Sequence, residues 1–520
     1  MSMTIGKMFD LTVAKYPNKE ALYDVRKNVR YTYKQWSDQV NKLARAFTHE
    51  GVKKGDRVST YLFNTEELAT VLFACAKIGA IFNPINFRLM SEEVSYIIDD
   101  AKPKIFLFEQ ALSSTISPIA DRFHQTSFWC IDDTSIPYAK DFYTVLSKQD
   151  SAPVTAEVSE DDVYAIMYTS GTTGRPKGVL HCHRDMIEQS LIVCHATHLN
   201  KQDRGLVTAP MFHCAELHCA FLPRVHIGAH STILHQFHPQ KVLQLIESEK
   251  ITKLFAAPTM WNMMIQEDVT QHELKSLKLG LYGAAPMAPA LVRACEKKLG
   301  AKFVQAYGMT EMGPAITFLG EDDQISKSGS AGQACLNHEI RIVKPNEHGP
   351  SEPDDILPPG EVGEILVQGP CVMQGYFNLE EATKKALYKG WYHSGDIGYL
   401  DEDGYLFVQD RVDDMIISGG ENVYPREIED LLFEHEGILD VAVIGEPHQK
   451  WGESVTAFVV RKDHTLTEEE LDLFCKSSDK LANYKRPRRY IFCEALPRNA
   501  SGKIQKFVLR KEIEEAVEGV

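Results

Sequence analysis

The chain has 520 residues, too many for one hydrophobic core, because single cores stop growing at about 250–300 residues. Its 44% apolar content is ordinary for a globular protein, and 56 basic against 72 acidic residues leave a formal charge of -16. That balance argues against a nucleic acid or an anionic membrane surface as partner, while leaving room for a local basic pocket.

In chain order, Met1 to Pro17 carries charges among short apolar groups and lacks the unbroken apolar core of a signal peptide. The longest largely apolar run, Leu68 to Ala76, is closed by Lys77 and is too short to cross a bilayer, so no integral membrane segment is expected. Eleven scattered cysteines, an odd number, suit reduced thiols and a cytoplasmic protein, and the final Val-Glu-Gly-Val carries no peroxisomal address. Up to about residue 410, apolar runs such as Ile105 to Phe108, Leu254 to Ala257 and Phe303 to Ala306 alternate with helical patterns, which predicts an α/β body with largely parallel sheets. Gly and Pro cluster from Gly349 to Gly375, and apolar strands at Gly363 to Val367 and Tyr405 to Val408 predict a small β-rich section. After Arg411 the texture changes: strands at Val441 to Ile444 and Val455 to Val460 interleave with helices at Pro425 to Glu434 and Thr467 to Lys480. The expected organisation is an α/β body over residues 1–411 and a small α+β domain over 412–520.

Six segments carry chemistry. Tyr168 to Gly178 reads Tyr-Thr-Ser-Gly-Thr-Thr-Gly-Arg-Pro-Lys-Gly directly after the strand-like Val163 to Met167. Gly171 and Gly174 let backbone N–H groups approach an anion, Thr169, Ser170, Thr172 and Thr173 add hydroxyls, and Lys177 adds a mobile cation. The spacing is not that of the common P-loop, and taken alone the stretch also reads as an ordinary surface turn. Tyr282 to Pro286 places Gly283, Ala284 and Ala285 after a strand, where a flat ring can lie against backbone. Gln305 to Glu311 offers an aromatic face, a hydroxyl and a carboxylate, and Trp391 to Asp396 ends in an acid able to accept both hydroxyls of a ribose. Asp410 to Asp414 marks the texture change and is followed by Ser418 to Pro425, while Leu496 to Ile504 presents Lys503 on a Gly/Ser turn.

In this order, from about residue 8 to residue 514, these segments resemble the adenylate-forming superfamily of acyl-CoA synthetases, luciferases and carrier-protein adenylation domains. Arg411 to Glu429, Trp451-Gly452-Glu453 and Tyr484 to Pro487 look most like acyl- and aryl-CoA ligases, including the 4-chlorobenzoate and fatty-acid types; Asp410 stands where many members have glycine. The resemblance implies an AMP-forming acid:CoA ligase, with ATP, Mg²⁺ and coenzyme A as its small-molecule partners beside a carboxylic acid. It allows a homodimer, and its runner-up is an enzyme that loads a carrier protein.

By the same resemblance, Thr169, Ser170, Gly171, Thr172, Thr173, Gly174 and Lys177 hold the β- and γ-phosphates, Thr310 touches the α-phosphate and Glu311 ligates Mg²⁺. Gly283, Ala284 and Ala285 with Ala306, Tyr307, Gly308 and Met309 enclose the adenine, and Asp396 and Arg411 bind the ribose. Lys503 bridges the carboxylate and the α-phosphate, Asp413 is the hinge about which a mobile small domain turns, and Gly419 and Gly420 line the channel for the pantetheine arm. Trp451 packs along that arm or lies in a core, and Arg88, Lys485, Arg486 and Arg488 are candidates for the CoA phosphates.

Ten histidines fall between His181 and His238, and His226 and His230 have an H-x₃-H spacing, but without a matching cysteine pair they read as scattered imidazoles. His213 is the exception, matching a family position at the mouth of the acid pocket, where a neutral imidazole gates or orients the carboxylate. The pocket walls that the family implies, around His213, Ala256 to Met260, Leu281 to Ala284 and Gly308 to Pro314, are mostly small or apolar beyond the ATP residues. An apolar acid is therefore expected, aliphatic or aromatic, with a tilt toward aryl acids.

Overall fold

The computed structural model describes residues 2–132, 135–169, 176–285, 287–346, 349–411, 414, 416–418, 421–448, 451–462, 464–478, 481–498 and 504–518. Two large sheets form the body. In the eight-stranded sheet, Ile81–Pro84, Arg57–Tyr61, Ile105–Phe108, Ser127–Cys130 and Ala139–Asp141 are parallel, and Val163–Thr169 joins them in parallel beside Ile81–Pro84. Lys177–Cys182 and Gly375–Tyr376 then add antiparallel strands at that edge. In the nine-stranded sheet, Lys302–Tyr307, Leu279–Tyr282, Lys253–Phe255, Arg204–Val207, His230–Ile233 and Glu20–Asp24 run parallel, with antiparallel strands at both edges. The parallel centre is the one expected from the alternating pattern.

The apolar run that looked like a short hydrophobic stretch is the helix Glu66–Ile78, and all thirteen of its residues are buried. It touches strands of both sheets, so it has no solvent face, which is why its sequence is apolar all round rather than amphipathic. Thr65 caps its start by accepting the Leu68 N–H, and Gly79 ends it at a φ of +71°. The one cation inside this helix, Lys77, is compensated by Asp10 at 2.6 Å and by the Asn41 amide oxygen at 2.8 Å. Phe9, Trp36 and Phe73 stack around the helix, their rings 4.4–5.2 Å apart.

A five-stranded antiparallel section follows, built on Glu339–Val343, Gly363–Gln368 and Trp391–Leu400, with Leu387–Tyr388 and Leu406–Arg411 both pairing with the last of these. Its apolar face, including Ile365, Val367 and Tyr392, packs on Val179 and Met312 of the body. The final sheet orders Glu421–Val423, Ile416–Ser418, Gly452–Arg461 and Ile438–His448, with Arg489–Cys493 parallel to Gly452–Arg461. Helices Pro425–Phe433 and Glu468–Ser477 cover one face through Ile428, Leu431, Leu432, Leu471 and Cys475.

The hydroxyl- and glycine-rich stretch bridges an antiparallel hairpin, with Thr169 opposite Lys177 and Tyr168 opposite Gly178. Gly178 cannot carry a side chain without movement, because a Cβ there would lie 2.8 Å from Ile166 Cγ2 and 3.2 Å from the Tyr168 ring. Gly178→Ala should therefore lower the unfolding free energy by about 1–3 kcal/mol in a denaturant titration; an unchanged midpoint would mean that the hairpin relaxes freely.

Candidate active site

Parallel strands end at a common edge, and there the predicted residues gather. Val207, Phe255, Tyr282 and Tyr307 close four neighbouring parallel strands of the nine-stranded sheet, and each is followed by one of the segments singled out in the sequence. Gly283 lies so close to the next strand end that a Cβ would stand 2.6 Å from the Ala306 carbonyl oxygen. Ala284 adopts a φ of +65°, so the chain turns sharply where a flat ring was expected to meet backbone. Gly308 is similarly pressed, its would-be Cβ 2.0 Å from the Pro314 carbonyl oxygen.

The Tyr307 hydroxyl donates to Asp396 Oδ2 at 2.6 Å, joining two residues placed on the nucleoside side by separate motifs. Asp396 is buried, its own N–H donating to Ser394 Oγ at 2.9 Å. Arg411 stands directly opposite Asp396 in the antiparallel register, so the two residues read as a ribose pair are neighbours across one ladder. Met309 Sδ accepts from the Tyr392 hydroxyl at 3.1 Å, which seats the turn preceding Thr310–Met312.

Thr310 and Glu311 are both buried on that short turn. The Thr310 hydroxyl lies 3.2 Å from Cys214 Sγ, and its carbonyl oxygen accepts from His181 Nε2 at 2.7 Å. Cys214 follows His213, so this contact couples the candidate acid-side histidine to the candidate α-phosphate threonine. The Glu311 carboxylate accepts from the Tyr376 hydroxyl at 3.1 Å, and the Lys177 ammonium lies 4.5 Å from the centre of the same tyrosine ring.

His213 sits on a loop pinned from two sides. Asn64 donates to the Ala209 carbonyl at 3.0 Å and accepts from the Met211 N–H at 2.8 Å, while Glu216 accepts from the Ala209 N–H at 3.3 Å. His213 Nδ1 accepts from the Ala215 N–H at 3.2 Å, which assigns the remaining proton to Nε2. Burial pushes the His213 imidazole down to about 4, so at neutral pH it is the uncharged donor that the acid-side role asks for. Beneath the loop, Glu216 pairs with the buried Arg224 at 2.9 Å, and desolvation still pushes its carboxyl up to about 7. Small and apolar side chains, Ala209, Ala220, Phe255, Leu281, Ala306 and Ala315, form one cluster beside these strand ends, with Met260 packed against it.

The other histidines have individual partners: Tyr164 for His218, Ser190 for His226, Thr232 for His230 and Glu109 for His235. Among the described residues one group, Glu20, His230 and Glu249, brings metal-ligating atoms within 4.8 Å of one another. Arg30 and Arg204 already lie on both of its carboxylates, and burial, helped by the nearby cations, holds His230 far below its usual range.

Trp451 is half-buried outside the core of its sheet, stacked on His448 with ring centres 4.4 Å apart, and Arg488 lies 5.8 Å from its ring. Of the other CoA candidates, Lys485 pairs with Glu427 at 2.7 Å, Arg486 pairs with Asp472, and the exposed Arg88 lies against Phe87. Ser170, Gly171, Thr172, Thr173, Gly174, Asp413, Gly419, Gly420 and Lys503 lie outside the described residues, as do the side chains of Asp410 and Arg411. Sequence reasoning missed Tyr376, Cys214 and His181. Only Tyr376 had a usable signal, the Gly-Tyr pair closing the Gly/Pro-rich stretch.

Comparison with known proteins shows the family. The AMP-binding enzyme model matches residues 9–377, and the AMP-binding enzyme C-terminal domain matches residues 427–503. The chain is 38% identical to a feruloyl-CoA synthase of Amycolatopsis sp over 92% of its length and 93% of that protein's. It is 34% identical to a long-chain-fatty-acid–CoA ligase of Mycobacterium tuberculosis over 99% of both chains. The solved structure of an anthranilate CoA ligase in complex with anthranoyl-AMP superposes with a TM-score of 0.92 at 26% identity, covering 99% of this chain and 98% of that one. Fold and site define an enzyme that works through an acyl-adenylate. The chain belongs to the AMP-binding enzyme family, within the adenylate-forming superfamily.

The buried histidines set a pH dependence. Burial lowers His183 and His213 each to about 4, against about 6.5 in an unfolded chain, so between those values the unfolded state binds more protons. Their contribution is present above about pH 6.5 and lost as pH falls toward 4. The fully buried His183 alone should account for roughly 1–2 kcal/mol by pH 5. A His183→Asn variant should flatten the fall of Tm between pH 7 and pH 5; an equally steep fall would remove His183 from this account.

Proposed function

We propose that the chain activates an apolar carboxylic acid with ATP and transfers the acyl group to coenzyme A. The observation that carries this reading is the convergence of Tyr307 with Asp396, and of Lys177, Thr310, Glu311 and the neutral His213, at the carboxyl ends of the strands. A carboxylate oxygen attacks the α-phosphorus and pyrophosphate leaves; the CoA sulfur then attacks the acyl carbon and AMP leaves. Joining two anions requires neutralised charge and fixed alignment rather than a strong nucleophile.

In this proposal Tyr307 and Asp396 orient the nucleoside, with Gly283 to Ala285 as the flat wall against its ring. Lys177 and Thr169 hold the phosphates that depart, Thr310 fixes the α-phosphate, and the His213 Nε2–H orients the incoming carboxylate. Glu311 suits Mg²⁺, because it is a buried oxygen donor on the phosphate side; the ion would supply charge neutralisation along the phosphates. Lys503 is assigned to the bond-forming step, Asp413 to the turning of a small domain from residue 412 onward, and Gly419, Gly420 and Trp451 to the thiol channel. These three assignments rest on the family pattern, as does a homodimer, whose occurrence sedimentation decides. A cytoplasmic location is supported by the cysteine content; among the described residues no helix is long and apolar enough to cross a membrane.

For the acid, the small side chains at the strand ends favour a flat aromatic ring, and aliphatic acids are the second class. A pyrophosphate-release screen over acids of graded length and aromaticity should give its highest kcat/KM with an aryl or arylacrylic acid. Charged or dicarboxylic acids as best substrates would overturn the apolar pocket. Lys503→Ala should abolish adenylate formation by about 100-fold or more while sparing thioester formation from supplied acyl-adenylate. Equal loss in both half-reactions would remove the domain alternation, and acyl transfer to a holo-carrier in preference to CoA would replace the acceptor.

A further inference from the structure

The two-residue strand Gly375–Tyr376 arrives from the small β-rich section and is built into the edge of the eight-stranded sheet, against the strand that begins at Lys177. Its backbone is held on both sides: Gln374 N–H donates to the Leu180 carbonyl at 2.9 Å and Phe377 N–H to the Gly178 carbonyl at 2.7 Å. Side chains add to this, with Gln374 Nε2 on Asp185 at 3.0 Å and Asn378 Nδ2 on Asp100 Oδ1 at 3.0 Å. Asp100 Oδ2 in turn accepts from the Tyr168 hydroxyl at 2.7 Å, at the base of the hairpin. Thr383 Oγ1 accepts the Tyr376 N–H at 2.9 Å. A residue fixed this firmly has a side chain with a fixed direction.

That side chain lies between two groups of opposite charge. Its ring faces the Lys177 ammonium at 4.5 Å, and its hydroxyl donates to Glu311 Oε1 at 3.1 Å. Opposite charges in a partly buried site attract, and a direct Lys177–Glu311 ion pair would withdraw both from an incoming substrate. The aromatic face satisfies the cation without neutralising it, and the hydroxyl occupies one carboxylate oxygen without consuming its charge.

We propose that Tyr376 is a positioning residue that keeps Lys177 and Glu311 apart and aimed, one for the departing phosphates and the other for the divalent cation. This rests on the assignment of those two residues under the proposed function. Tyr376→Phe keeps the ring and removes the hydroxyl, whereas Tyr376→Leu removes both. For Tyr376→Phe the Mg²⁺ concentration giving half-maximal pyrophosphate release should rise about five- to tenfold, with the ATP KM at saturating Mg²⁺ unchanged within about twofold. Tyr376→Leu should raise both. Independently of turnover, Mn²⁺ binding to the full chain in the presence of ATP, followed by electron paramagnetic resonance, should weaken by the same factor in Tyr376→Phe. A Tyr376→Phe protein with a lowered Tm but wild-type Mg²⁺ and Mn²⁺ titrations would reduce Tyr376 to a packing residue and overturn the proposal. Glu311→Gln separates the two levels. If it weakens Mn²⁺ binding while Tyr376→Phe does not, only the role of Tyr376 falls; if it leaves Mn²⁺ binding untouched, the assignment of Glu311 falls and the proposal with it.

Discussion

The parallel order of the central strands is the constraint on which the rest of this structure depends. Because they run the same way, their carboxyl ends lie along one edge, and the loops that follow are brought side by side whatever their separation in sequence. Val207, Phe255, Tyr282 and Tyr307 lie 48, 27 and 25 positions apart in succession, yet sheet order brings them side by side at one edge. The antiparallel hairpin at the edge of the other sheet then brings Lys177 to this place, and the small β-rich section brings Asp396.

Charge is handled by separation. An enzyme that joins two anions inside a chain of net charge -16 must keep its own carboxylates from repelling them. Asp396 is occupied by the Tyr307 hydroxyl, Glu311 by the Tyr376 hydroxyl, and Glu216 by Arg224. The last pair costs desolvation on both sides, and its geometry is enforced by Gly205, where a Cβ would stand 2.2 Å from Arg224 Cδ. What it provides is a rigid floor for the loop carrying His213, whose own burial keeps it uncharged.

Much of this was legible because the residues announce their chemistry. Glycines and hydroxyls around Lys177, the Tyr307 to Glu311 run and the acid at Asp396 have few structural reasons to occur in that order, and the strand at Ile105–Phe108 was placed to the residue. Helix ends were harder: in the span read as helical from Thr467, the helix is Glu468–Ser477, with Thr467 as its cap and Ser478 extended. Leu68 to Ala76 reads as an isolated apolar segment, and its burial between two sheets follows only from the packing of both. Tyr376 had the Gly-Tyr pair as its one signal, in a two-residue strand too short for any periodicity, and what distinguishes it is what faces it.

The sequence by itself determined the residue types available: a glycine- and hydroxyl-rich stretch closed by Lys177, acids and aromatics in motifs that match the family, and an α/β alternation, all properties of residue type and spacing along the chain. Tertiary structure decided which of those residues meet. The coupling of His213 to Thr310 through Cys214, the register that sets Asp396 opposite Arg411, and the tyrosine between Lys177 and Glu311 are contacts between segments far apart in sequence. Such contacts are selected by sheet order and packing, which no local pattern encodes.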